Sequence, residues 1–322
     1  MKHSIFLRTR IDALYKNITL WMMLFCCITS FHAYSKCLYM VTAGGGHTFW
    51  QAITHGAQVA AKQYNYRIIS RGTFESINAE AQLSIIEYSK NYNCDGLILA
   101  PYNQLVVDQL QQNYFKPIIL IDRKPKFSTM HVVKTDDYQA GQLAAKQLLA
   151  SNTKKFKLGY ILTNTQIAHL NERAKGFSDY LMKKQTFEKL ETINLGGSVG
   201  SARQQIYLKK PILNQADIIY STNELSSLAI NQDLDLPTTI KIGFDCHPLL
   251  IEATLNSKML GFVSQNAFQI GYASASKLIA HIESGKPLNS LYLNANFIDY
   301  AFLQKLPVVN CQNIYRYLAQ QN

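Results

Sequence analysis

From about residue 36 onward, short runs of β-branched and aliphatic residues alternate with longer stretches whose apolar positions recur every three or four residues. The runs are LYMVTA from Leu38, YRIIS from Tyr66, DGLILAP from Asp95, KPIILID from Lys116, HVVKTD from His131, KLGYIL from Lys157, LETINLG from Leu190, ADIIYST from Ala216, TIKIGFD from Thr239 and GFVSQN from Gly261. Between them lie segments such as HTFWQAITHGAQVAAKQY and INAEAQLSIIEYSKNY, which have helical spacing. Strand and helix in strict alternation predict an α/β fold with parallel sheets covered on both faces.

About ten strands exceed what one small doubly wound sheet usually carries, and a chain of 322 residues exceeds one ordinary core. Two doubly wound parallel-sheet lobes are therefore expected. The pattern restarts near Lys157 without a Pro/Gly/Ser linker, so the lobes are expected to share a hinge of several chain crossings.

In open parallel sheets, ligands sit outside the carboxyl ends of the strands. Here those ends carry Phe49 and Trp50 after the first strand, Asp122 and Arg123 after the fourth, and Asp136 and Asp137 after the fifth. In the second half they carry Asn223 and Glu224, then Asp245, then Gln265 and Asn266. Two such edges facing each other form a cleft of carboxylates, amides, a guanidinium and aromatic rings. That inventory suits a neutral polyhydroxylated ligand, because each hydroxyl both donates and accepts while aromatic faces stack on the ring.

The first 35 residues differ from the rest. Lys2, Arg8, Arg10 and Lys16 precede the apolar stretch ITLWMMLFCCITSF, and Ala33 and Ser35 supply small residues for a signal peptidase. A leader cleaved before Lys36 is expected, and with it a periplasmic location. The apolar stretch is short for a membrane span, which needs about 20 residues. The leader holds four basic residues and one acidic one, so the formal charge of +11 falls to +8 in the mature chain. No block of basic residues interleaved with aromatics accompanies that excess, and it reads as dispersed solvated lysine without a nucleic-acid partner.

Four cysteines remain in the mature chain, and none has metal-ligand spacing. Cys37 and Cys94 immediately precede the first and third strands, which are neighbours in a sheet of order 2-1-3. Such strands lie about 4.8 Å apart, within disulfide reach. A disulfide and two buried thiols both fit this pair. Nothing in the sequence pairs Cys246 with Cys311.

These features together resemble the ribose-binding-protein group of periplasmic binding proteins, whose fold lactose-repressor-like regulators share. The resemblance runs from about Leu38 to about Asp299. It rests on HTFWQAITHGAQVAA, LIDRKP, NERAKGF, STNE, IGFDCHP and VSQNAFQIGYASASKLI in that order. It implies a leader over residues 1–35, an N-terminal lobe from 36–136 and 266–290, and a C-terminal lobe from 137–265 and 291–322. It also implies a monomer without cofactor or catalysis, which binds a neutral sugar or sugar-like ligand between the lobes and delivers it to an ABC permease. A membrane sensor or chemoreceptor is the alternative partner. Residue by residue, the resemblance places His47, Phe49, Trp50, Asp122, Arg123, Asp137, Asn171, Asn223, Asp245 and Gln265 at ligand positions. It departs at Asn171, where the family usually has a sugar-binding arginine, and at Ser198, Val199 and Gly200, which occupy a loop that often supplies a second aromatic.

The stretch TAGGGHTFW is neither a P-loop nor a GxGxxG turn, since Phe49 takes the last glycine position; it reads as the rim of the pocket. GGSVG, around Ser198, fits G-x-S-x-G and is followed by Asp245 and His281, which gives a serine-hydrolase alternative. A repressor would need a helix-turn-helix where the leader stands.

Overall fold

The structure is a computed structural model that describes residues 36–43, 48–72, 78–151, 155–184, 186–233 and 236–321. The leader, the three glycines at 44–46 and His47 lie outside the described residues. In chain order the first half gives β1 (Cys37–Thr42), α1 (Thr48–Gln63), β2 (Arg67–Gly72), α2 (Ala79–Tyr88), β3 (Gly96–Leu99), α3 (Gln104–Asn113), β4 (Ile118–Ile121), β5 (Val132–Thr135) and α4 (Asp137–Ser151). The second half gives β6 (Phe156–Thr163), α5 (Ala168–Lys183), β7 (Phe187–Asn194), α6 (Val199–Leu213), β8 (Ile218–Ser221), α7 (Glu224–Asp233), β9 (Ile240–Phe244), α8 (Pro248–Leu255), β10 (Gly261–Ser264) and α9 (Ala267–Ser284). A tail of β11 (Leu291–Leu293), β12 (Asn296–Asp299), α10 (Tyr300–Leu303) and α11 (Cys311–Gln320) completes the chain.

All ten expected strands are present, and they form two six-stranded sheets of order β11-β5-β4-β3-β1-β2 and β12-β10-β9-β8-β6-β7. Every pairing is parallel except that of β12, which runs antiparallel to β10. The central strands are buried on both faces, as β1 and β8 are along their whole length, and the apolar runs reflect that. The edge strand β7, FEKLETIN, has half of its residues exposed and only Ile193 buried, and polar residues interrupt its apolar ones.

The chain changes lobes four times. β5 belongs to the first sheet, but α4 packs on α5 in the second lobe; β10 belongs to the second sheet, but α9 packs on α1 in the first. β11 pairs with β5, so Leu291 to Leu293 lie in the first lobe, contrary to the expectation that the second lobe begins at 291. The third crossing falls between Leu293 and Asn296. The fourth follows α10, since α11 packs on α1 and α9. These tail elements escaped the pattern because β11 and β12 are only three and four residues long.

Among the described residues, two disulfides close the fold. Cys37 and Cys94 are bonded across β1 and β3, with α-carbons 4.6 Å apart, at the strand edge opposite the cleft. Cys246 and Cys311 are bonded as well, with α-carbons 5.6 Å apart. Chain-entropy arguments assign about 4 kcal/mol to a loop of either size.

In each lobe one helix pair crosses at reciprocal glycines. A β-carbon on Gly56 would lie 2.0 Å from the Phe268 carbonyl oxygen, and one on Gly271 would lie 1.8 Å from that of Ile53. The second lobe repeats this, with Gly141 against the Arg173 carbonyl and Gly176 against that of Tyr138, both at 2.0 Å. Neither backbone can yield without unseating a helix that also carries a chain crossing. Gly56→Ala and Gly141→Ala should therefore each cost at least about 2 kcal/mol of stability in urea denaturation. Gly200, with nothing within 4 Å of a β-carbon, should tolerate alanine and gain up to about 1 kcal/mol.

Candidate functional site

Both sheets present their strand carboxyl ends to the interlobe region, and the two fourth strands end alike. β4 runs into Asp122 and β9 into Asp245, each in the left-handed conformation, with φ of 62° and 65°. Aspartate tolerates this region better than most side chains, and the turn aims the carboxylate away from its own strand. Each backbone N–H still serves its sheet, Asp122 donating to the Val133 carbonyl at 3.1 Å and Asp245 to that of Val263 at 2.8 Å.

Asp245 is held from two sides. Gln265 Nε2 donates to its Oδ1 at 2.8 Å, while Gln265 Oε1 accepts from Thr135 Oγ1 at 2.8 Å. This relay joins the end of β5 in the first lobe to the ends of β10 and β9 in the second. Burial pushes the Asp245 carboxyl pKa up, and the Arg173 guanidinium and the Gln265 hydrogen bond pull against that. In the first lobe, Arg123 Nε donates to Asp122 Oδ2 at 3.2 Å, with the Arg123 side chain 29% exposed and Asp122 buried.

Asp137, at the first crossing, has both oxygens engaged. Arg173 Nε donates to Oδ1 at 2.7 Å, and Lys134 Nζ donates to Oδ2. Asp137 is therefore the anchor of the crossing, and a ligand reaching it would have to share an oxygen with one of two cations. Arg173 is 2% exposed; it also donates to the Thr222 carbonyl at 3.0 Å, lies 4.0 Å from Asp245 Oδ2 and stacks 3.8 Å from the centroid of the Phe244 ring.

The remaining expected positions are more structural. Phe49 and Trp50 are 8% and 9% exposed, contact each other edge to face at 5.0 Å, and belong to a core cluster that also contains Cys246, Leu250, Phe262 and Ile314. Asn223 Oδ1 accepts from the Ser226 N–H at 3.0 Å and the Ser226 hydroxyl at 2.6 Å, which caps α7. Asn171 Nδ2 donates to the Thr165 carbonyl at 2.8 Å and braces its own loop. His47 lies outside the described residues.

Sequence reasoning missed three groups here. Arg173 falls on the apolar stripe of α5 with Leu170, Ala174, Phe177 and Leu181, and a cation on such a stripe signals buried partners. His169 stands one turn earlier on the same face, half-buried. Burial, and then the charges of Arg173, Arg123 and Lys134, drive its pKa well below the usual histidine value, so it is neutral. Arg123 belongs to the first lobe, so His169 feels both sides of the cleft. Glu224 stands on the expected strand edge but outside the expected ligand positions; burial, then the Asp245 charge, raise its pKa to about 7.

The hydrolase constellation is not assembled. Ser198 caps α6, its Oγ accepting from the Ser201 N–H at 3.1 Å, whereas His281 lies on α9 in the other lobe with Nδ1 2.8 Å from the Lys286 carbonyl oxygen. Among the described residues, no group of three or more His, Cys, Asp and Glu side chains is placed to hold a metal ion. No described helix is long and apolar enough to cross a membrane.

A family model described as a periplasmic binding protein domain matches residues 38–287. This chain belongs to that family. Solved structures agree on the fold. GanP, a glucose-galactose binding protein from Geobacillus stearothermophilus, is 21% identical, with 85% of this chain and 99% of that one covered and a TM-score of 0.72. The periplasmic component of an ABC-type sugar transport system from Hahella chejuensis is 25% identical, covering 82% and 99%, with a TM-score of 0.72. A two-protein XylFII-LytSN complex also contains a similar chain, 17% identical over 83% and 98%, with a TM-score of 0.68. Comparison with curated protein sequences found no match.

The cleft groups of this family member give opposite pH dependences. Glu224 has a raised folded pKa, so the folded state holds a proton that the unfolded chain has released, and stability falls as pH rises from about 4.5 towards about 7. His169 has a lowered folded pKa, so the unfolded chain binds the proton first and stability falls as pH drops below about 6.5. Melting temperatures measured from pH 5 to 8 should show the first slope flattened in Glu224→Gln and the second flattened in His169→Gln. A Glu224→Gln curve parallel to the wild type would contradict the burial argument.

Proposed function

We propose that the protein binds a neutral sugar or sugar-like polyol in the interlobe cleft, without chemical change, and passes it to an ABC-type permease. The observation that carries this reading is the charge balance of the cleft. Among the directly paired groups, Arg123, Lys134 and Arg173 face Asp122, Asp137 and Asp245, three cations against three carboxylates in contact or within 4.0 Å, while Glu224, whose pKa burial and then the Asp245 charge raise to about 7, adds only part of a charge near neutrality. A charged ligand would upset that balance in a partly desolvated place, whereas hydroxyl groups can donate to the carboxylates and accept from the guanidinium and amide. A neutral His169, with one donor and one acceptor nitrogen, fits the same ligand chemistry.

Support also comes from the relatives, whose descriptions name glucose-galactose binding and sugar transport. The Asn171 side chain is turned onto its own loop, so it does not replace the arginine expected there; the ligand accordingly differs from the common pentoses and hexoses. A sensor as partner is the second reading, favoured by the likeness to a chain in the XylFII-LytSN complex. Both partners would read the closed state, which a ligand bridging two lobes stabilises by its extra contacts.

Calorimetric titration of a sugar and polyol panel tests the reading. For whichever member binds, Asp122→Ala, Arg123→Ala and Asp245→Ala should each weaken affinity at least tenfold, about 1.4 kcal/mol. Unchanged affinity in all three would put the ligand elsewhere. Small-angle scattering should show the protein becoming more compact with saturating ligand.

A further inference from the structure

The tail helix α11 occupies an unusual mechanical position. Its buried face, Ile314, Tyr315 and Leu318, packs against α1 and α9 of the first lobe, and Asn266, the cap of α9, donates from Nδ2 to the Leu318 carbonyl at 3.4 Å. Its first residue, Cys311, is nevertheless bonded to Cys246, which directly follows Asp245 at the end of a second-lobe strand. One helix is thus packed on one lobe and covalently tied to the other. Thr48 Oγ1, at the start of α1, reaches the Cys246 carbonyl at 3.5 Å and marks the same point of contact between lobes. Burial, and then the charges of Asp245 and Glu224, raise the pKa of the buried Tyr315 hydroxyl on the same helix.

We propose that α11, through the Cys246–Cys311 bond, is a positioning element that pins the Asp245 turn to the first lobe and sets the pivot about which the lobes open. A rotation that carried the β9 end away from the first lobe would have to peel α11 from α1 and α9, so the axis must pass near the disulfide. Residues at the pivot move least. Asp245 therefore keeps its hydrogen bond to Gln265, and Gln265 its bond from Thr135, in open and closed states alike. The far rims of the cleft, where Leu105 lies in the first turn of α3 and Val199 begins α6, carry the excursion. The other disulfide, at the opposite edge of the first sheet, has no such reach and serves as a control.

The idea depends on the sugar-cleft reading only for its consequence, because the decisive measurement needs no ligand. Spin labels attached through a non-cysteine keto residue at exposed Leu105 and Val199 report the interlobe distance in the full mature chain. The wild type and Cys37→Ser/Cys94→Ser should give the same narrow distribution, and Cys246→Ser/Cys311→Ser a broader and longer one. Loss of either disulfide should lower the melting temperature, so the distance and not the melting point identifies positioning. An unchanged distribution in folded Cys246→Ser/Cys311→Ser overturns the proposal. Should that variant not fold, Cys37→Ser/Cys94→Ser is titrated with a phosphine reductant and followed by hydrogen exchange. Amides of the 244–250 segment must then lose protection before the rest of the second lobe, and simultaneous loss overturns the proposal equally. A failed sugar panel with a broadened distance would refute the ligand reading and leave the pivot standing.

Discussion

The buried guanidinium of Arg173 is the constraint on which the interlobe region depends. A cation with 2% exposure is tolerable only if paired and hydrogen-bonded, and its partners come from three separate places: Asp137 at the first chain crossing, the Thr222 carbonyl after β8, and Asp245 after β9. Withdrawing one partner from such a pair typically costs about 3 to 5 kcal/mol, since the other charge is left buried. The carboxylates are consequently held in register with one another. Lys134 adds a second cation to Asp137, and Phe244 covers the guanidinium face, so the group has little freedom to move.

Around this anchor the chain is built twice. The fourth strand of each lobe ends in a left-handed aspartate, and the fifth ends in a crossing capped by a side-chain oxygen, Asp136 for α4 and Asn266 for α9. In each lobe the helix that arrives from the other crosses a resident helix at reciprocal glycines. The two repeats meet where Thr135 donates to Gln265, which sit at matching strand ends. The repetition explains why a cleft between the lobes receives equivalent groups from each side.

Much of this was legible in the sequence, because a strand buried on both faces must be a continuous apolar run and the polar residue that ends it must lie on the sheet edge. All ten internal strands and the positions of Asp122, Arg123, Asp245 and Gln265 follow from that rule. The tail did not follow. β11 and β12 are too short to show a period, and α11 is amphipathic in a way that says it packs without saying on which lobe. The pairing of Cys246 with Cys311 was illegible for the same reason, since it depends on where that helix docks. Phe49 and Trp50 show a different limit: an aromatic pair at a helix start has one sequence signature whether it faces a ligand or a core, and here both rings are nearly buried.

The electrostatics of the cleft bear on how a ligand would be gripped. Asp245 and Glu224 are both raised in pKa, Asp245 by burial against the pull of Arg173 and the Gln265 hydrogen bond, Glu224 by burial and then the Asp245 charge. Hydroxyl donors supplied by a ligand would lower those pKa values, and by linkage the ligand would bind more tightly to the ionised cleft and release protons as it entered. His169 works in the other sense. Held down by burial and then by three nearby cations, its pKa leaves it neutral, already in the state in which one nitrogen donates and the other accepts. The cleft thus combines an acidic end that gains from added donors with a histidine that needs no change of charge, and a neutral polyol meets both conditions at once.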